Sequence, residues 1–174
     1  TLELSHDFLW RVHRVTPPRG MVTIFNRSHY EDVLVVRVLG LIDEKRCEQR
    51  YEHIRGFEQM LADEGTTIVK IFLHISPEEQ KERLQARLDE PHKNWKFDPG
   101  DLDARAQWHD YQKAFEDAIE ATSTKDAPWY VIPADRKWYR NLAISEILIE
   151  VIESLDMKFP EPAEGLDQIT IDDV

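Results

Sequence analysis

An apolar run that stops abruptly constrains this chain more than any other feature. Residues 21–25 (MVTIF) are almost wholly apolar, and Asn26, Arg27, Ser28, His29, Tyr30, Glu31 and Asp32 follow at once. In an open α/β sheet a buried strand delivers side chains to the crevice beyond its carboxyl end, and this junction has that form. Residues 21–25 are therefore expected to be a first strand. The next seven positions supply one amide, one guanidinium and two carboxylates. Phosphoryl transfer uses that mixture, with carboxylates to hold Mg2+ and a planar cation to neutralise developing charge. A strand end followed by a solvated polar turn would contain the same residues, so spacing alone leaves both open.

The rest of the chain alternates in the same way. Residues 5–15 are expected to be helical with Ser5 as N-cap, and residues 16–20 (TPPRG) break that helix. Residues 33–39 (VLVVRVL) fit a strand or a buried helix equally well. Tyr51, Ile54, Phe57, Glu58 and Leu61 lie near helical spacing within a helix over 44–63 that Gly65 should end. Residues 67–74 (TIVKIFLH) form the best strand pattern. Ser76, Pro77 and Glu79 then read as N-cap, first helical position and capping-box partner of a helix to about Asp89. A polar loop over 90–100 precedes a long amphipathic helix over 101–122, with Trp108, Tyr111, Phe115 and Ile119 on one stripe. Residues 129–132 (WYVI) are a third strand. Asp135 is expected to cap a last helix over 136–155 whose apolar content suggests deep burial. Strands alternating with helices predict an α/β fold with a parallel, doubly wound sheet.

Charge and cysteine usage narrow the function classes. The chain has 174 residues and a net charge of −12, which argues against nonspecific nucleic-acid binding. No apolar run approaches a membrane span, and the first residues lack a basic signal-peptide region. A single cysteine, Cys47, allows no intrachain disulfide and is consistent with a cytoplasmic location. Residues 159–174 read as an extended acidic tail, carrying Glu161, Glu164, Asp167, Asp172 and Asp173. The seven histidines form no H-E-x-x-H pattern, so a zinc site is not expected.

Two further features bear on chemistry. Arg83 and Arg87 lie four apart on one helix, where like charges repel unless an anion sits between them; the structural alternative pairs Glu79 with Arg83. Lys93, Lys96 and Arg105 follow, and the segment from 83 to 105 could act as a lid hinged on Pro91 and Gly100 that keeps water from a reactive phosphoryl group. None of the six glycines belongs to a G-x-x-x-x-G-K-[ST] phosphate loop.

Several long stretches, in order, resemble the carboxy-terminal two-thirds of a polyphosphate kinase 2 family protein, in particular the subgroup that phosphorylates both AMP and ADP. They are residues 4–11 (LSHDFLWR), 25–35 (FNRSHYEDVLV), 73–83 (LHISPEEQKER), 93–97 (KNWKF) and 127–139 (APWYVIPADRKWY). The resemblance implies a three-layer P-loop kinase-like fold over residues 1–158 with a helical lid. It implies reversible, Mg2+-dependent transfer from inorganic polyphosphate to AMP or ADP in a homo-oligomer. Asn26 and Arg27 match the Walker B region, where many relatives carry Asp in place of Asn26. Direct metal binding would then fall on Glu31 or Asp32. Arg27 is the arginine expected to contact the transferring phosphate, and Arg87 falls in the lid with Lys93, Lys96 and Arg105 as further anion ligands; Arg83 joins the phosphate-binding candidates from its spacing to Arg87. The family's first strand and Walker A loop have no match in this sequence, so the expectation is of a partial domain, inactive by itself. Two alternatives keep the fold: a non-catalytic polyphosphate- or nucleotide-binding module, and an ATP-dependent nucleotide kinase.

Overall fold

Two parallel strands and the helices that connect them organise the computed structural model, which describes residues 5–166 and 169–171. The strands are β1 (Lys70–His74) and β2 (Trp129–Pro133), in register from Lys70 opposite Trp129 to His74 opposite Pro133. A parallel pair requires a long crossover. Here it is supplied by α4 (Pro77–Asp89), a 3-10 segment (Pro91–Lys96), α5 (Gly100–Ala106) and α6 (Trp108–Thr122). Before β1 come the short helices α1 (Trp10–His13) and α2 (Val35–Val38) and the long α3 (Glu44–Asp63). The architecture is α/β with a parallel sheet, as the alternation of patterns predicts. The chain divides into two compact units, the first ending at Asp135 and the second beginning at Arg136.

The core of the first unit forms where α3 meets α1, the turn after residue 28, and α6. Cys47, Tyr51, Ile54 and Phe57 recur at intervals of three or four along α3, and all are buried. They pack with Leu9, Val12, Val33, Leu34, Ala114 and Ala118. Asp43 caps α3 by accepting the Arg46 amide at 2.7 Å. At the other end Gly65 takes φ +90°, and its amide and that of Thr66 close onto the carbonyls of Ala62 and Leu61. Residues 33–39, ambiguous in the sequence, resolve as helix around α2. Arg37 then ties three helices together: it donates to Glu44 at 2.7 and 3.1 Å and to Asp117 on α6 at 2.9 Å.

Several expectations are corrected. Residues 21–25 form no strand. They pair with neither β1 nor β2, so their backbone groups have no ladder to join, and Val22 and Ile24 are 86% and 88% exposed. The first helix is a single turn, entered through Asp7, whose Oδ1 accepts the Leu9 amide at 2.9 Å. The helix expected over 101–122 is interrupted at Gln107 into α5 and α6, and α5 bonds to α4 through Asp101 with Arg87 and Arg105 with Gln80. Ser76 does cap α4, accepting the Glu79 amide at 3.1 Å, but Glu79 does not return the bond. Its carboxylate is taken by Arg83, and Asp135 accepts the Ser76 amide instead, at 2.8 Å. Asp135 therefore serves α4 and not the last helix, α7 (Lys137–Ser154), whose N-cap is Arg136 without a side-chain bond. No residue of α7 is fully buried, and Trp138 is 68% exposed, so its apolar content does not translate into burial. In the acidic tail, Glu161 and Glu164 are exposed, while Asp167, Asp172 and Asp173 lie outside the described residues.

A buried polar cluster ties the core to the sheet. Lys70 Nζ donates to Glu58 Oε2 at 2.6 Å, to the Thr122 carbonyl at 2.8 Å and to Tyr30 Oη at 3.1 Å. Tyr30 Oη donates to Glu58 Oε1 at 2.9 Å, and Trp129 Nε1 donates to Thr122 Oγ1 at 2.9 Å. Burial, and then the Glu58 carboxylate, push the Tyr30 phenol well above its ordinary range; burial and a hydrogen bond with Cys47 do the same to Tyr51. Groups held protonated in this way contribute stability below the ordinary phenol value of 10.0, and it is lost as pH rises through their folded values. Burial lowers Lys70, which acts in the opposite sense, but that contribution is complete by the ordinary lysine value of 10.5. Above it the phenols act unopposed. In an alkaline titration followed by tyrosinate absorbance, Tyr30 and Tyr51 should ionise only as the chain unfolds, whereas reversible ionisation of all five tyrosines before unfolding would contradict this.

Candidate functional site

The turn beyond residue 25 is built on one buried side chain. Ser28 takes an extended conformation and starts a 3-10 turn, His29–Asp32, with its hydroxyl 3.4 Å from the Tyr30 amide. Tyr30, 3% exposed, anchors the turn in the buried cluster. Glu31 and Asp32 directly follow this fixed point and are half-buried, while Asn26 and Arg27 remain exposed. Arg27 sits at φ +65°, a left-handed conformation that costs a non-glycine residue about 1 kcal/mol or more. Such strain is retained where surrounding structure imposes it, and it marks this position as a place where backbone direction matters.

Asp32 is neutralised locally. Its carboxylate lies 3.8 Å from Arg50 and 4.0 Å from Arg11, and its carbonyl accepts from Arg50 Nη1 at 2.6 Å. Burial nevertheless raises its carboxyl above the ordinary value, against the pull of both arginines. Among the described residues no group of three or more His, Cys, Asp or Glu side chains is placed to hold a metal ion. A hard divalent cation at a nucleotide site needs only one or two carboxylates, with phosphate and water completing the shell. The oxygen donors at 31 and 32 fit that requirement, and of the two Glu31 is the one not bracketed by guanidinium groups.

Residues 83–105, expected to include a polar loop over 90–100, form a braced hairpin. Arg87 Nη1 donates to Asp101 Oδ2 at 2.6 Å, and at the opposite end of the hairpin Arg105 Nη1 donates to the Pro77 carbonyl and to Gln80, each at 2.8 Å. Asn94 caps the end of α4 by donating to the carbonyls of Arg87 and Leu88 at 2.7 and 2.9 Å. Arg83 is pinned by Glu79 at 2.7 Å, the i,i+4 pair its spacing offers, and by the Ala134 carbonyl at 2.8 Å. Lys93 pairs with Glu90 at 2.6 Å. Lys96 Nζ sits 5.1 Å over the ring of Trp95, itself 79% exposed. Arg87 and Lys96 are thus brought together, Arg105 braces the hairpin, and Arg83 ties α4 to the residue after β2. Sequence reasoning passed over Asp101 and the Lys70–Glu58 pair. A separate open groove of 450 Å³, lined by Phe72, His74, His109, Phe115 and Val131 among others, contains none of the predicted site residues.

With this geometry established, comparison with known proteins decides the family. Residues 1–160 match the family model for polyphosphate kinase 2 (PPK2). The chain belongs to the polyphosphate kinase 2 family. A relative from Meiothermus ruber, an AMP/ADP-polyphosphate phosphotransferase, is 58% identical over 170 residues, which cover 98% of this chain and 64% of the relative. An ADP-polyphosphate phosphotransferase from Rhodopseudomonas palustris is 47% identical, over 91% of this chain and 59% of its own. The crystal structure of polyphosphate kinase 2 from Arthrobacter aurescens superimposes with a TM-score of 0.93 at 48% identity, over 96% of this chain and 59% of that one. The chain therefore spans about three-fifths of the length of these PPK2 relatives. The parallel sheet with its crossover helices is, accordingly, part of a P-loop kinase-like fold.

Proposed function

We propose that the protein transfers phosphoryl groups reversibly between inorganic polyphosphate and AMP or ADP, giving ADP or ATP. The observation that carries this is the 58% identity, across nearly the whole chain, with a protein named for AMP/ADP-polyphosphate phosphotransfer. Arg27 would neutralise charge on the transferring phosphoryl group, Asn26 would orient it, and Glu31 would hold Mg2+ or the nucleotide. Mg2+, when bound, would offset phosphate charge. Arg87, with Lys93 and Lys96, would bind the anion from the lid, Arg105 would keep that lid in shape, and Arg83 would tie its first helix to the end of β2. Catalysis of this kind rests on positioning and charge neutralisation and needs no covalent intermediate.

We further propose a cytoplasmic homo-oligomer in which residues 1–158 form the kinase-like domain, 83–105 its lid and 159–174 an acidic tail. Among the described residues no helix is long and apolar enough to cross a membrane. A net charge of −12 supports a partner list without nucleic acid.

The test is a donor exchange in the full-length protein. AMP and Mg2+ are supplied with either polyphosphate or ATP, and nucleotides are separated by ion-exchange chromatography. Product from polyphosphate supports the proposal. Product from ATP alone would replace it with an ordinary nucleotide kinase.

A further inference from the structure

The guanidinium of Arg87 is gripped on one side only. Nη1 donates to Asp101 Oδ2 at 2.6 Å and reaches the Lys96 carbonyl at 3.4 Å. Among the described residues Nε and Nη2 carry no hydrogen bond, and the side chain is 34% exposed. The backbone behind it is fixed by Asn94, which holds the carbonyl of Arg87 itself at 2.7 Å. Asp101 is also fixed: it lies in the first turn of α5, and its Oδ2 accepts from the Asp98 amide at 3.4 Å.

Arginine binds phosphate most strongly through two parallel N–H bonds, and the Nε–Nη2 edge is one such fork. A freely rotating guanidinium loses side-chain entropy when it docks that edge. A carboxylate on Nη1 fixes the plane beforehand and leaves the fork open. The same carboxylate reduces the local positive charge, so its effect on binding separates orientation from simple competition.

We propose that Asp101 is a positioning residue for Arg87, holding the guanidinium so that its Nε–Nη2 edge faces a phosphate group of the donor or acceptor. The inference rests on the phosphoryl-transfer function proposed above.

A double-mutant cycle in the full-length protein tests it, with Arg87→Ala, Asp101→Ala, the pair together, and Asp101→Asn. Asp101→Ala should lower kcat/KM about tenfold, the usual scale for removing a group that orients a ligand-binding side chain. It should have no further effect once Arg87 is Ala. Asp101→Asn keeps an acceptor oxygen for Nη1 and should retain most activity. A raised KM for polyphosphate would assign the fork to the donor, and a raised KM for nucleotide to the acceptor; either supports the proposal. Melting temperatures measured alongside separate these effects from loss of fold. Independent, multiplying losses from the two single variants would overturn it, as would tighter polyphosphate binding by Asp101→Ala, the mark of a competitor. Wild-type turnover in Arg87→Ala would remove Arg87 from the chemistry, and the proposal with it. Full activity of Asp101→Ala beside an impaired Arg87→Ala would reject the positioning role alone.

Discussion

Replacing Arg27 with Ala in the full-length protein should reduce kcat about a hundredfold or more, the scale seen when one group stabilising transition-state charge is removed. The side chain is exposed and precedes the Tyr30 anchor at φ +65°, so its loss removes no core contact. The fold should therefore survive. Arg27→Gly provides the sharper comparison, because glycine accepts positive φ without strain. That variant should lose turnover as severely as the alanine variant, yet melt at a higher temperature, by an amount corresponding to about 1 kcal/mol. Arg27→Lys keeps the charge but not the planar fork and should fall between. Near-normal turnover in Arg27→Ala would remove this residue from the site. A lowered melting temperature in Arg27→Gly would mean that the left-handed turn is held by side-chain contacts instead of imposed on the backbone.

The largest stability effect is expected at Lys70. Its side chain is 7% exposed and that of Glu58 only 3%, so the pair is almost free of water. Lys70→Met leaves the Glu58 carboxylate buried with a hydroxyl partner at Tyr30 and no opposing lysine, and it strips a donor from the Thr122 carbonyl. Breaking a buried pair from one side costs about 3–5 kcal/mol. Glu58→Leu should cost a similar amount, by stranding the ammonium. The double variant should cost far less than the sum, because two apolar groups of similar volume remove both buried charges at once. Urea unfolding of the four proteins reads this directly. Additive losses would mean that the two charges act independently, contrary to the 2.6 Å contact between them.

These two sites differ in how far the sequence revealed them. The Asn26–Asp32 turn was legible because a polar cluster directly after an apolar run is a local signal. The Ser76 cap and α3 were legible for the same reason, since capping and helical periodicity are written in consecutive residues. What escaped depended on partners far along the chain. Residues 21–25 have the composition of a strand, but a strand exists only when another pairs with it. Asp135 looked like the cap of the helix that follows it, yet it bonds to Ser76, 59 residues away. Gln107 interrupts a helix without a glycine or proline nearby to mark the break.

The segment from 83 to 105 shows both cases at once. Its basic residues were visible, and the pairing of Arg83 with Glu79 follows from i,i+4 spacing. The pairing of Arg87 with Asp101 crosses a hairpin and has no such local mark. A signal for the buried cluster was present: Glu58 lies on the apolar face of α3, and Lys70 interrupts the best strand pattern. Two opposite charges on otherwise apolar surfaces predict each other, since neither is stable in a core alone.

The most direct measurement is phosphorus NMR of the full-length protein with polyphosphate, ADP and Mg2+. The proposed transfer requires polyphosphate signal to decline as the γ-phosphate resonance of ATP appears, with no free phosphate accumulating. Unchanged polyphosphate beside intact ADP, under conditions where the protein is folded, would contradict it.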